Sequence, residues 1–399
     1  MADTDARKGD LFYPYAHAAN GNRTGRRPAA TVEVMRWAAP RAVASGLAIV
    51  LLAGCTALGG IRRSPPSPPG PTVSAAAFEL RIATAPVPSD YRRATVDFSD
   101  SEHGAALYVR CSAPTGGHNE CLGRLVVTKD GGRSWHGAGD PEPAAENQQL
   151  YVARDGTIVL LAEPRGWYVS RDYGRTFRTE PYGRLPVAYR TLEGPYEICC
   201  AGDAVPQLRR FVGERPVPVA TRPPLPGTLV AVAYRPSWDL WVASLDAGRP
   251  HTAYSRDEGR TWTVTPVPEP DGGLRSVRLQ SSTDQLDIWL VGDSDRTTFP
   301  AVWWLDASGW ERPALSGTPP TYAASAAVGG GALAVTGPAG TGLVTRSGQY
   351  VDTDWPVGGW LRTLADGTLL VTDDRHGKVW LGVGGPSERR WVELVLENP

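Results

Sequence analysis

Thr128-Lys-Asp-Gly-Gly-Arg-Ser-Trp135, Ser170-Arg-Asp-Tyr-Gly-Arg-Thr-Phe177 and Ser255-Arg-Asp-Glu-Gly-Arg-Thr-Trp262 are one pattern written three times, S/T-x-D-x-G-x-S/T-aromatic. Their starts lie 42 and 85 residues apart, one period and two. A fixed period of about 40 to 50 residues is the mark of a repeat architecture, typically a propeller of four-stranded blades. Asp130, Asp172 and Asp257 are placed to accept hydrogen bonds from backbone N–H groups of their own turns. Gly132, Gly174 and Gly259 supply the positive φ of a tight hairpin. Trp135, Phe177 and Trp262 open the next strand and offer an apolar anchor between neighbouring sheets. Turn geometry accounts for every position, so the motif reads as structural rather than catalytic.

Outward from the octapeptides, worn copies continue the period. Trp310, Trp355 and Trp391 are equivalents of the aromatic position, and a further one falls near Val217 to Thr221. Successive spacings of 42, two of about 42, then 48, 45 and 36 predict an all-β, seven-bladed propeller of four-stranded antiparallel blades over residues 77–399. The last blade reads as strands Trp360–Leu364, Thr368–Thr372, Lys378–Val383 and Arg390–Leu396. The sixth reads as Tyr322–Val328, Ala332–Thr336, Gly342–Thr345 and Gln349–Asp352. The region from Pro186 to Pro223 is the least regular. Phe78–Ala83 is an extra strand ahead of the first blade, either a closure strand for the last blade or a lead-in.

Residues 1–76 differ in kind. Met35-Arg36 opens a basic start, and Ala42–Gly54 is an apolar run of 13 residues, the length of a signal-peptide core and too short to span a bilayer. It ends in Leu52-Ala53-Gly54-Cys55, which resembles the bacterial lipobox. That resemblance implies lipidation at Cys55, a signal peptide over 35–54 and a dispensable extension over 1–34; an uncleaved anchor is the alternative. Ile61–Pro71 is proline-dense, and residues 55–76 form a semi-rigid tether of up to about 60 Å. The expectation is an extracytoplasmic, membrane-anchored domain that is otherwise monomeric.

Lys+Arg total 41 and Asp+Glu 42, a balance that gives no footprint for nucleic acid. With Cys55 set aside, Cys111, Cys121, Cys199 and Cys200 remain, an even number in an exported chain. Cys111 and Cys121 flank a polar loop between the strands Ala105–Arg110 and Arg124–Thr128, which suits a hairpin-closing disulfide. The adjacent Cys199 and Cys200 could bond to each other or pair separately. No CxxC or HExxH occurs, and no metal or other cofactor is expected.

The octapeptide is the Asp box, and on it the chain resembles the BNR-repeat propellers of the sialidase-like superfamily. The resemblance implies boxes on the blade periphery, away from the ligand face, and raises glycoside hydrolysis. A sialidase needs an arginine cluster, a tyrosine nucleophile with its glutamate, and an aspartate acid/base. The family mark F/Y-R-I-P finds its nearest match in Leu80-Arg81-Ile82-Ala83, which keeps Arg-Ile and lacks the aromatic and the proline. Arg81 is thus the one catalytic candidate. Tyr196-Glu197 point to opposite faces if they lie on a strand. Seven blades, where the resemblance implies six for sialidases, look more like the superfamily's binding and assembly propellers, including the photosystem II stability/assembly-factor type. Val96–Ala105 resembles their recurring blade opening. The expectation is binding of a protein or glycan without catalysis, through loops such as Cys111–Cys121, Gly194–Ala204 and Asp293–Pro300; the alternative is a sialidase-class hydrolase.

Overall fold

In the computed structural model, the described residues are 76–111, 121–139, 144–145, 147–199, 205–235, 239–283, 287–295, 298–317, 324–337, 340–356, 359–373 and 377–398. Cys55, Cys200, the predicted signal peptide and all of the predicted tether but Ala76 lie outside them. The described residues form an all-β, seven-bladed propeller with almost no helix.

Each blade is an antiparallel meander. The first runs through Arg92–Phe98, Gly104–Cys111, Cys121–Thr128 and His136–Gly137, and the second through Asn147–Val152, Ile158–Glu163, Gly166–Ser170 and Arg178–Glu180. The fourth holds Thr228–Tyr234, Leu240–Asp246, Arg249–Ser255 and Thr263–Thr265, and the fifth Ser276–Ser281, Ile288–Asp293, Ala301–Asp306 and Gly309–Glu311. The sixth and seventh match the expected strands closely: Ala324–Gly329, Ala332–Gly337, Gly340–Thr345 and Tyr350–Thr353, then Trp360–Thr363, Leu369–Asp373, Lys378–Val383 and Arg390–Glu397. First strands of successive blades approach one another, so they line the central axis.

A sheet pressed between two others needs apolar residues on both faces of its middle strands. Ile158–Ala162, Ile288–Gly292 and Ala332–Gly337 are accordingly buried at every position. Among the described residues the buried apolar side chains gather into seven clusters, six at interfaces between neighbouring blades and one between the second blade and the short helix that precedes the third. Val96, Phe98, Val126 and Trp135 of the first blade meet Leu370, Leu381 and Leu394 of the seventh, and this contact closes the ring. Leu107, Leu125 and Leu160 join the first and second blades. Trp241 and Trp303 join the fourth and fifth.

The third blade departs from the four-stranded expectation. Among the described residues it has three strands, Tyr196–Cys199, Gln207–Val212 and Arg215–Pro218. Pro216 and Pro218 pair with the middle strand but offer no N–H to a further neighbour, and Pro223 and Pro224 follow, so no fourth strand adds to that edge. A short helix, Val187–Arg190, fills the gap towards the second blade, with Ala188 and Tyr189 against Trp167 and Val169.

The first blade carries an extra two-residue strand, Ala144–Ala145, beside Cys121–Thr128. The lead strand Ala77–Thr84 pairs in parallel with Arg390–Glu397, Ala77 opposite Arg390 and Thr84 opposite Glu397. It is a fifth, outermost strand on a last blade that already has four, and from it the chain runs through buried Ala85, Val87 and Tyr91 into the first blade. It is therefore both lead-in and staple.

Cys111 and Cys121 sit directly opposite one another on neighbouring strands and are joined by a disulfide. Cys199 is disulfide-bonded. Closing a ten-residue separation removes loop entropy from the unfolded chain. Replacing Cys111 and Cys121 by Ser is expected to cost about 2–3 kcal/mol. Urea unfolding checks this, and a stability unchanged by the double substitution would contradict it.

Candidate functional site

The three octapeptide turns join third to fourth strands, in the outer half of their blades. In the first, Gly132 N donates to Thr128 Oγ1 at 2.9 Å, and that hydroxyl donates to Asp130 Oδ1 at 2.8 Å. Ser134 then donates its N–H to Oδ1 at 2.9 Å and its hydroxyl to Oδ2 at 2.5 Å. Ser170, Asp172, Gly174 and Thr176 repeat the pattern, as do Ser255, Asp257, Gly259 and Thr261. The glycines hold φ of 84°, 79° and 85°. Both hydroxyl positions of the motif are thereby explained: each serves one carboxylate.

These carboxylates are strongly acidic. Asp172 and Asp257 are pulled down to about 2, first by the N–H groups of Thr176 and Thr261 and then by their hydroxyls. At Asp130 burial pushes upward, and the bonds from Ser134 and Thr128 outweigh it, again giving about 2. The folded values lie below the ordinary 3.8, so the stabilisation is complete above about pH 4 and is lost as the pH falls towards 2. The triple variant D130N/D172N/D257N is expected to melt below the wild type at pH 6 and to converge on it near pH 2. A gap in melting temperature independent of pH would refute this.

The aromatic anchors are not equivalent. Trp135 is buried at ring closure, edge-on to Phe98 at 6.2 Å. Phe177 and Trp262 are half-buried, and Trp262 Nε1 donates to Thr221 O at 2.8 Å, pinning the irregular end of the third blade. Arg81 lies on the lead strand at the outer edge of the last blade. Its Nη1 donates to Gly131 O at 2.5 Å and its Nη2 to Glu79 Oε1 at 2.6 Å, so it buttresses the first turn and does not reach the central axis. Tyr196 and Glu197 diverge: Tyr196 is buried beside Tyr234, and Glu197 pairs with Arg190.

At the axis the structure assembles a cluster that sequence reading did not single out. Arg362, on the first strand of the seventh blade, pairs with Asp97 on the first strand of the first blade. Its Nη2 also donates to Phe98 O at 2.7 Å, and its Nη1 to Val152 O at 3.5 Å. Asp97 accepts from Phe98 N at 2.9 Å through Oδ1 and from Val152 N at 2.7 Å through Oδ2. One ion pair therefore ties three blades. Burial pushes the Asp97 carboxyl upward, and Arg362 opposes that push.

A cleft beside the pair is lined by Val152, Arg154, Glu193, Arg362 and Thr363, with Arg154 and Glu193 paired at 3.7 Å. Tyr151, next to Val152 in the chain, packs against Tyr189 of the short helix at 5.0 Å, and Tyr189 packs against buried Trp167 at 4.9 Å. Tyr151 donates its hydroxyl to Gln149, and burial raises its pKa. Arg190, next to Tyr189, clasps Glu197 through Nε at 2.7 Å. The signal for Asp97 was present in Val96-Asp97-Phe98, an acid between two apolar residues, but its partner stands 265 residues away.

Of the loops expected to make contacts, 112–120, 200–204 and 296–297 lie outside the described residues. Among the described residues, no group of His, Cys, Asp and Glu is arranged to hold a metal ion. No helix among them is long and apolar enough to cross a membrane.

No protein-family model and no curated protein matches the chain. Solved structures are. YCF48 bound to D1 peptide is 14% identical, with a TM-score of 0.39 over 75% of this chain and 94% of that one. A protein of unknown function from Dyadobacter fermentans is 15% identical, with a TM-score of 0.32 over 77% and 95%. The GH74 xyloglucanase from Xanthomonas campestris is 15% identical, with a TM-score of 0.31 over 75% of this chain and 47% of that one. At these identities and scores the likenesses say nothing of ligand or chemistry, and the seven-bladed propeller rests on the sheet topology.

Proposed function

We propose that the chain is an Asp-box propeller of the sialidase-like type, held at the cell envelope by a lipid on Cys55, that binds a protein or glycan at its central face without catalysis. The observation that carries this reading is the state of Asp97, the acid of the axial cluster. Both its oxygens are engaged, Oδ1 by Arg362 and Phe98 N–H and Oδ2 by Val152 N–H. An acid/base catalyst must exchange its proton with substrate, whereas this carboxylate is committed to holding three blades together. Tyr151 supports the same reading: burial raises its pKa and favours the phenol, the opposite of an activated nucleophile. What this region offers a partner is the half-buried pair Tyr151 and Tyr189, together with the Arg154–Glu193 and Arg190–Glu197 pairs. Such a mixture of rigid aromatic area and polar rim suits recognition.

One observation favours the hydrolase alternative, namely that a buried carboxyl raised by its surroundings is what a glycosidase uses as general acid. The two readings separate in one experiment. Wild type and Tyr189→Ala are compared for capture of partners from the native envelope and for turnover of a fluorogenic sialoside panel. Capture lost in Tyr189→Ala with no turnover by either is the expected result. Turnover by the wild type that disappears in Asp97→Asn would overturn the binding reading. Anchoring is checked separately by mass spectrometry, with diacylglyceryl expected on Cys55 and an intact Ala53–Leu58 peptide in mature protein as the contrary result.

A further inference from the structure

Propeller edges are ordinarily short. The outermost strands of the first six blades, His136–Gly137, Arg178–Glu180, Arg215–Pro218, Thr263–Thr265, Gly309–Glu311 and Tyr350–Thr353, have two to four residues. The lead strand Ala77–Thr84 has eight, and among the described residues its far side pairs with no strand. It also exposes an apolar stripe: Phe78, Leu80 and Ile82 are 55%, 60% and 57% accessible on one face. A long, apolar, open edge is a template for another strand, which folded proteins ordinarily blunt.

We propose that this edge pairs with the same edge of a second copy, the two lead strands running antiparallel about a two-fold axis at Leu80. The backbone restricts the register first. Ala85 N donates to Glu397 O at 2.7 Å. In a parallel ladder alternate residues face the same neighbour, so 83, 81, 79 and 77 turn their amides to the last blade, and those of 78, 80, 82 and 84 face outward. Outward residues must therefore oppose outward residues.

Charge then selects among the allowed registers. Leu80 opposite Leu80 of the partner places Phe78 opposite Ile82 and Glu79 opposite Arg81, with apolar matched to apolar and acid to base. Sliding by two residues in one direction sets Arg81 against Arg81, and in the other Glu79 against Glu79. Like charges directly opposite are destabilising. The strand Phe78-Glu-Leu-Arg-Ile82 is thus self-complementary in one register, as a two-fold interface requires. About six backbone hydrogen bonds and three apolar pairs make a small interface, with a dissociation constant on the order of micromolar. The pairing replaces the monomer expected from sequence, and it depends neither on lipidation nor on the proposed ligand.

The test uses the full chain carrying Cys55→Ser, so that neither a lipid nor that thiol contributes to association. Directly opposed, outward-facing residues lie about 5.5 Å apart at Cα, the span of a disulfide. On mild oxidation Leu80→Cys is expected to form a covalent dimer. Phe78→Cys and Ile82→Cys should cross-link when mixed, and each should stay single alone. Sedimentation at roughly 50 µM should give twice the monomer mass for Cys55→Ser alone. It should give the monomer mass for Leu80→Pro, whose missing N–H faces outward and is not needed by the last blade. Leu80→Lys gives the same readout if the proline impairs folding. Monomer mass for Cys55→Ser, or no covalent Leu80→Cys dimer, overturns the proposal. So does loss of anionic-vesicle binding in Leu80→Lys with mass unchanged, which assigns the stripe to a lipid surface instead.

Discussion

Arg362→Met is expected to destabilise the folded protein by about 3–5 kcal/mol at neutral pH, one of the two largest effects of any single substitution proposed for this chain. The substitution keeps the aliphatic bulk and removes the charge. Asp97 is left in a largely buried position without its counter-charge, and the carbonyls of Phe98 and Val152 lose their shared donor. The cost arises from the stranded charge rather than from the worth of the pair. D97N/R362M is therefore expected to recover much of the loss, since no buried ion remains. Urea unfolding of the two single variants and the double variant closes the cycle.

The pH dependence has a definite sign. Burial already raises Asp97 above its ordinary 3.8, and removing Arg362 raises it further. A folded-state pKa above the unfolded one means stability that is present below the unfolded value and lost as pH rises through the folded value. The deficit of Arg362→Met should be greatest near pH 7 and should shrink as the pH falls towards 4. A deficit that grows on acidification would contradict the assignment. The trend is opposite to that of the octapeptide aspartates, so acid scans of the two sets of variants distinguish buried-charge energetics from turn energetics.

Trp135→Ala is expected to cost about 3–5 kcal/mol, while Phe177→Ala and Trp262→Ala cost about 1–2 kcal/mol each. All three occupy the same motif position, so the difference is tertiary. Trp135 is 5% exposed and sits where the first blade meets the seventh. Its loss opens a cavity at the interface that closes the ring, beneath the link from the lead strand into the first blade. Phe177 and Trp262 are half-buried and lose less apolar contact. Shifts in urea midpoint at unchanged slope measure the three values. Equal costs would mean that the octapeptides act alike regardless of the interface they border.

Much of the architecture was legible because its instructions are local. The bonds linking Thr128, Asp130, Gly132 and Ser134 span seven residues, and so do those of the two other copies. A local hydrogen-bonded turn must recur wherever the same residues recur, and its spacing counts the blades. The strands of the sixth and seventh blades were readable for a similar reason, since glycine and aspartate turns punctuate alternating apolar runs. The third blade was readable only as an irregularity. Neither its missing fourth strand nor the helix Val187–Arg190 that fills the space was legible in the sequence.

Sequence by itself determined that the chain builds a ring of seven sheets, that Cys111 and Cys121 close a hairpin, and that the octapeptide carboxylates serve turns. Each is a matter of neighbours along the chain or across one hairpin. Only the tertiary structure decided that Asp97 meets Arg362, that Trp135 is a keystone where Trp262 is a clasp, and that Phe78, Leu80 and Ile82 lie on an open edge. Each of these depends on closing the ring, which brings residues hundreds of positions apart into contact and settles which faces stay dry. The octapeptide encodes a turn, and the closed ring decides what that turn holds.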